Sequence, residues 1–267
     1  MAEIYSTLDR TSRECKYWWF DAWDWLVNRS LRSVGSPRIR TKPGEIAMDP
    51  HIHSLYSHCS ISKPEQIIIR AVKLGLDAVV IMDHDDVSGA SDAIRCAEHL
   101  KFNDRIPEDF LIIPGTEINS ANGHIGAIFV NENLPSSLSP AETVRYIHEA
   151  GGLAIAVHPY HSTGIGDAIY DAPFDAVEVE CGSVFNEKLA KQNADLVLDP
   201  RLANIAKFGS SDAHYIQAIA SCYTVLTANQ PTLEAARQAI IDGHSRAIIS
   251  DSCIRIRSFL GRLRKLR

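Results

Sequence analysis

The chain has no Cys-x-x-Cys pair. Its six cysteines, Cys15, Cys59, Cys96, Cys181, Cys222 and Cys253, are scattered over 267 residues. With no signal-peptide pattern at the N-terminus, this usage argues against a disulfide framework and fits a reduced, cytoplasmic setting. No stretch offers the ~20 consecutive apolar residues that a membrane-crossing helix needs, so no transmembrane segment is expected. Internal repeats and low-complexity tracts are absent, which excludes solenoids and long disordered linkers. Aromatic residues make up only 7%, and all four tryptophans fall between residues 18 and 25.

What remains is ordinary globular material, 45% hydrophobic and 22% charged, in a length that suits one large α/β domain with terminal additions. The net charge of −6 is unevenly spread. Residues 29–42 carry Arg29, Arg32, Arg38, Arg40 and Lys42 with no acid, and residues 254–267 carry Arg255, Arg257, Arg262, Arg264, Lys265 and Arg267 with none. An acidic body suits cation binding, while the basic ends are expected to be solvated or to contact an anionic partner.

Three regions follow. Residues 1–44 form a tryptophan-rich extension in which Trp18, Trp19, Ala22, Trp23, Leu26 and Val27 fall roughly on one side of an amphipathic helix. Residues 45–252 alternate apolar runs with helical runs, and 253–267 form the basic tail. Strands are expected at 45–49, 77–82, 111–115, 125–130, 153–157, 175–180, 205–209 and 222–227. Helices are expected to begin at Pro64-Glu65, Ser88, Ser139-Pro140-Ala141-Glu142, Asn186-Glu187 and Pro231-Thr232-Leu233-Glu234, where caps or N1 prolines precede early acids. Such alternation predicts a mostly parallel sheet closed into a barrel.

In a barrel of this kind chemistry sits at the carboxyl ends of the strands. Five of the expected strands end in His, Asp or Glu. The first leads into Asp49-Pro50-His51-Ile52-His53-Ser54-Leu55-Tyr56-Ser57-His58, where His51 and His53, two apart, share one side of the strand. Others lead into Asp83-His84-Asp85, Thr116-Glu117, His158-Pro159 and Ser210-Ser211-Asp212-Ala213-His214. Any one of these is unremarkable as a polar strand end. Five together point to metal, because imidazole and carboxylate suit Zn²⁺, Mn²⁺ or Fe²⁺. His124 precedes its strand, which makes it a ligand only if that strand runs antiparallel to its neighbours. His99, His148 and His244 lie on helices or a helix end and read as surface residues.

These motifs, with Gly75-Leu76-Asp77, Gly123-His124-Ile125 and Gly151-Gly152 in the same order, resemble the polymerase and histidinol phosphatase (PHP) superfamily over residues 46–250. The resemblance implies a distorted (β/α)₇ TIM-like barrel of the PHP type with two or three divalent ions (Zn, Mn or Fe) that hydrolyses phosphoesters. It also implies a ligand set. His51, His53, Glu117 and Asp212 resemble a first site, Glu117 bridges to a second with His124 and His158, and His58, His84 and His214 hold a third. Pro50 stands where leucine is usual, and His58 where relatives often have Asp.

The implied function is metal-dependent hydrolysis of a phosphomonoester, nucleotide or oligonucleotide by a metal-bridging hydroxide. Asp85 and His161 are the candidate general acids. Two other readings stand beside it. One is amidohydrolase-type C–N hydrolysis, which also uses His-x-His on a barrel strand but usually bridges its ions with a modified lysine, where this chain has Glu117. The other is a non-catalytic, metal-stabilised binding module.

Overall fold

The structure, a computed structural model, describes residues 38–264. The tryptophan-rich helix expected within 1–44 lies outside the described residues, apart from the exposed Arg38, Arg40 and Lys42 of the connecting stretch. The strands are β1 (Glu45–Ile52), β2 (Ala78–Ile81), β3 (Leu111–Ser120), β4 (Gly123–Ile128), β5 (Leu153–Ala156), β6 (Ala176–Cys181), β7 (Ala206–Ser210), β8 (Cys222–Thr227) and β9 (Ser245–Ile249). Between and after them lie helices α1 (Pro64–Leu74), α2 (Ser88–Phe102), α3 (Pro140–Glu149), α4 (Glu187–Asp195), α5 (Leu233–Ile241) and α6 (Asp251–Arg264).

Helix starts follow local chemistry. Pro64 opens α1, and Ser139 and Glu142 form a reciprocal capping box on α3. Asn186 and Thr232 accept from first-turn amides of α4 and α5. Each of these helices was legible as a start signal.

The sheet order is β7-β6-β5-β4-β3-β2-β1-β8-β9. Pairing is parallel along β1-β2-β3 and β5-β6-β7, and antiparallel on both sides of β4 and both sides of β8. Counted by direction, seven strands run one way and β4 and β8 run the other. The expected barrel-like sheet is therefore present and nearly closed, with nine strands among the described residues where the (β/α)₇ pattern implies seven, the two reversed strands making the difference. Reversal of β4 is forced locally, because only Ala121 and Asn122 separate the paired Ser120 and Gly123, and so short a connection permits only an antiparallel hairpin.

The edge strands meet through side chains. Ser245 Oγ accepts from Lys207 N (2.8 Å) and donates to Lys207 O (3.2 Å), so a serine on β9 stands in for a ladder pair with β7. Thr224 Oγ1 does the same for Gly209, accepting at 3.0 Å and donating at 2.8 Å. Gly209 has no Cβ for a reason, since one there would lie 2.5 Å from Tyr223 O and 3.0 Å from Ile248 N. Inside, Met48, Val80, Ile113, Ile155, Val157 and Phe208 pack one continuous core. A core of this density holds the strand ends rigidly enough for a preorganised site.

Three expectations change. β3 runs five residues past the predicted end at 115, so Glu117 lies within the strand. β9 was not anticipated. The segment read as a basic tail from 253 belongs to α6, in which Cys253 and Arg257, four apart on one face, are both buried. Arg257 donates to Glu180 Oε2 at 2.8 Å and to the carbonyl of Cys181, so this cation is not solvated. The charge density of the segment concealed its inward-facing positions. Arg257→Leu is expected to destabilise the fold by about 1–3 kcal/mol, because it leaves a charged acceptor and a carbonyl without their donor. A thermal melt should show a midpoint several degrees lower; an unchanged midpoint would show that α6 does not dock on β6.

Candidate metal centre

Three strands deliver the four central side chains. His51 is the penultimate residue of β1, His53 follows that strand, Glu117 lies in β3, and Asp212 follows β7. His158 and Asp212 have φ of 28° and 50°, left-handed conformations that a non-glycine residue adopts only where its surroundings hold it. Both turns come immediately beyond a strand, and both send a polar side chain into the barrel mouth.

The four groups converge. His51 Nε2 is 3.1 Å from His53 Nε2 and 3.5 Å from both Glu117 Oε2 and Asp212 Oδ1, while His53 Nε2 is 3.3 Å from Glu117 Oε2 and 3.2 Å from Asp212 Oδ1. Ligand atoms bound to one ion at about 2.1 Å stand roughly 3–3.5 Å apart, so this spacing is that of a coordination shell. The other oxygen of the same glutamate, Oε1, is 2.9 Å from His124 Nδ1 and 3.1 Å from His158 Nε2. Glu117 thus presents one oxygen to each of two clusters. β4 is antiparallel to β3, which is the condition that brings His124 at its start beside Glu117.

The surrounding hydrogen bonds leave lone pairs facing inward. Glu178 Oε1 accepts from His51 Nδ1 at 2.9 Å, which fixes a proton on Nδ1 and leaves Nε2 as the nitrogen facing the cluster, and its Oε2 accepts from His158 N at 2.9 Å. Ser57 Oγ lies 3.2 Å from His53 Nδ1, and Ser183 Oγ donates to Asp212 Oδ2 at 2.5 Å. His84 Nδ1, 3.2 Å from Glu117 Oε2, and His124 Nδ1 are both buried, and neither meets Glu117 with hydrogen-bond geometry. Buried nitrogens left this way fit a cation between them and the carboxylate.

Charge points the same way. Burial opposes ionisation of Glu117 and Asp212, yet the facing imidazoles outweigh it and hold both carboxyls well below the usual range. Burial likewise lowers His53, but Asp212 and Glu117 outweigh it and bring the ring to about 9; His51 is raised for the same reason. With their Nε2 atoms 3.1 Å apart, the two rings can hold only one proton between them. By contrast burial pushes His84 down to about 3 and His214 to about 4, so both are neutral and ligand-ready at pH 7. A divalent cation must displace the proton held between these rings, and His53 is the ring brought to about 9. Apparent metal affinity is therefore expected to fall as pH falls below 9, by up to about tenfold per pH unit for each proton released. Titration calorimetry in buffers of different ionisation enthalpy checks this, and identical affinity at pH 6 and pH 8 would contradict it.

The structure places the remaining expected residues unequally. His214 lies beside His53 with ring centroids 4.5 Å apart, its Nδ1 donating to Asp212 O at 2.9 Å. His58 stacks on His84 at 5.3 Å but is exposed, and it belongs to no convergent ligand group among the described residues. The turn around Ser57 faces Ser57 and Cys59 inward and His58 outward, so Cys59, not His58, groups with His53 and His214. His58, His84 and His214, the set implied by the resemblance, form no such group among the described residues. Asp85 is also occupied: its two oxygens accept from Asn119 N (2.9 Å) and Asn119 Nδ2 (2.6 Å), tying the β2 end to β3. His161 remains accessible, its ring 5.4 Å from that of His158 and its Nδ1 3.0 Å from Thr163 Oγ1. Sequence reading missed Glu178 and Cys59. A glutamate alternating into the apolar run Ala176-Val177-Glu178-Val179 was the available signal for the first, and nothing singled out the second.

Residues 49–194 match the family model described as the PHP domain, and residues 201–244 match the model described as PHP-associated. The chain belongs to the PHP domain family. A relative in Methanocaldococcus jannaschii, an uncharacterised protein, is 35% identical over 143 residues, covering 49% of this chain and 79% of its own. The error-prone DNA polymerase of Cutibacterium acnes is 32% identical over 113 residues, 40% of this chain and 10% of the polymerase. Among solved structures, a two-domain Bacteroides vulgatus protein containing a predicted PHP-like metal-dependent phosphoesterase superposes with a TM-score of 0.61 at 20% identity, covering 84% of this chain and 73% of that one. The lesion-specific endonuclease of Pyrococcus furiosus superposes with a TM-score of 0.54 at 18% identity, covering 77% and 58%. At these identities the likeness concerns the fold. The PHP fold and the PHP motif order thus coincide in one chain.

Proposed function

We propose that this PHP protein is a metal-dependent phosphoesterase acting on a small phosphorylated molecule, a nucleotide or a short nucleic acid. The observation that carries the reading is Glu117, with one oxygen in each of two histidine clusters. His51, His53, Glu117 and Asp212 would hold one divalent ion, and Glu117, His124 and His158 a second. Bound ions of this kind supply an activated water at neutral pH and neutralise phosphoryl charge.

The chain's own groups do the rest. Glu178 fixes the His51 tautomer and, through the amide of His158, the turn that aims that ring. Ser57 orients His53 and also accepts from His84 N at 3.0 Å, so one hydroxyl aligns two ligands. His161, at the rim, would give a proton to the leaving oxygen; the hold of Asn119 on Asp85 supports choosing it over Asp85.

Metal analysis of the purified protein is expected to find two or three divalent ions per chain, and chelation should abolish phosphoesterase activity until Zn²⁺, Mn²⁺ or Fe²⁺ is restored. A screen should compare phosphomonoesters, phosphodiesters, nucleotides and short oligonucleotides. Oligonucleotides with abasic lesions belong in it because endonuclease Q, a fold relative, has been solved with such a duplex. Less than one equivalent of metal after reconstitution, or amidase activity without phosphoesterase activity, would overturn the proposal.

A further inference from the structure

The segment between β1 and α1 is held more tightly than a connecting loop requires. Leu55 N donates to Ser62 O at 2.8 Å, closing the loop on itself, and Asp83 Oδ1 accepts from Ser54 N at 2.7 Å and Ser57 N at 3.1 Å. At the far side Ser60 Oγ lies 3.0 Å from His53 O and 2.8 Å from His214 O, so its one proton is shared between these two carbonyls. The residue between these anchors that faces the centre is Cys59. Its sulfur and ligand-capable atoms of His53 and His214 all lie within 4.8 Å of one another.

His214 is prepared to be its partner. A carbonyl oxygen only accepts, so the 2.9 Å contact between His214 Nδ1 and Asp212 O fixes the proton on Nδ1 and leaves the lone pair on Nε2. His53 already faces the first cluster through Nε2, at 3.1 Å from His51 and 3.2 Å from Asp212. The free donors at this corner are therefore the Cys59 thiol and His214 Nε2, with the ring of His84 next to His53.

We infer that Cys59 is a metal ligand: with His214 it forms a third cation position beside the His51–His53–Asp212 cluster, and its thiolate makes that position select Zn²⁺, Fe²⁺ or Co²⁺ over Mg²⁺ and Mn²⁺. Imidazole carries no negative charge, so the thiolate is the one anionic donor beside His214, and a soft sulfur donor disfavours the hard, oxygen-seeking ions. The deprotonation balances simply. The thiol proton leaves to solvent as the cation–sulfur bond forms. This inference rests on the metal-centre reading above and deepens it by naming the ligand and the ion class.

The test uses the full chain, stripped of metal and titrated with Co²⁺. A sulfur-to-cobalt charge-transfer band in the near ultraviolet is expected with the last equivalent bound. In Cys59→Ser that band should vanish, bound metal should fall by one equivalent, and the visible bands of the remaining cobalt should persist. In the wild-type protein Zn²⁺ should protect Cys59 from iodoacetamide, read by peptide mass spectrometry, while Mg²⁺ should not; this arm holds even if the variant fails to fold. Cobalt binding without a charge-transfer band, a band that survives in Cys59→Ser, or equal alkylation with and without Zn²⁺ would each overturn the assignment while leaving the two-cluster centre intact. Failure to bind any cobalt would instead overturn the metal-centre reading itself.

Discussion

Glu117→Gln is expected to lower turnover on any phosphoester substrate by more than about 10³-fold and to remove at least one bound ion per chain. Its carboxylate faces His124 and His158 through one oxygen and His51, His53 and His84 through the other. An amide keeps the shape but replaces one oxygen by a donor nitrogen that has no lone pair for a cation. It also removes the negative charge that faces five imidazoles, so both clusters weaken together. Truncation of any one of those histidines touches only one cluster and should cost less. His58→Ala, at an exposed ring outside the convergent groups, should cost least of all. Metal stoichiometry and kcat measured for both variants at one metal concentration decide the matter. A Glu117→Gln protein with its full metal complement and most of its activity, beside an inactive His58→Ala protein, would place the chemistry at His58 and not at Glu117.

Much of this centre was legible in the sequence because barrel strands put their chemistry at one end, and motif spacing then reports geometry directly. His51 and His53, two apart at a strand end, are 3.1 Å apart at Nε2 because side chains two apart share a face. His124 was readable only conditionally, since its position depended on the direction of β4, and that direction is set by a two-residue connection that was hidden because the strands were expected to end at 115 and to begin at 125. The resemblance makes His58 a ligand, and nothing singles out Cys59 beside it. Adjacent residues in a loop face opposite ways according to the loop's own hydrogen bonds, here those of Ser54, Ser57 and Ser60, and no periodicity encodes that choice. Glu178 and Arg257 were hidden for a different reason. Each is a charged side chain in a segment whose overall character, apolar strand or basic tail, suggested the opposite environment, and buried charge is recognised by its partner, which lies far away in sequence: His51 for Glu178, Glu180 for Arg257.

Because Glu178 touches no position where substrate or metal would sit, its replacement separates positioning from ligation. Glu178→Gln is expected to weaken metal binding by about 10–100-fold while leaving the protein folded, the range over which partners behind a metal-bound histidine usually act. The glutamine oxygen can still accept from either His51 Nδ1 or His158 N, but not from both as the carboxylate does at 2.9 Å each. The charge that makes His51 a stronger donor at Nε2 is also gone. Glu178→Ala goes further by leaving the buried imidazole N–H and the amide without acceptors, at a cost of about 1–3 kcal/mol each, so it should lower stability as well as affinity. Competition against a chelator of known affinity gives the first quantity, and denaturant unfolding of the metal-free protein gives the second. Metal affinity in Glu178→Gln within about twofold of wild type, with only Glu178→Ala affected, would show that Glu178 supports the barrel interior and does not tune His51.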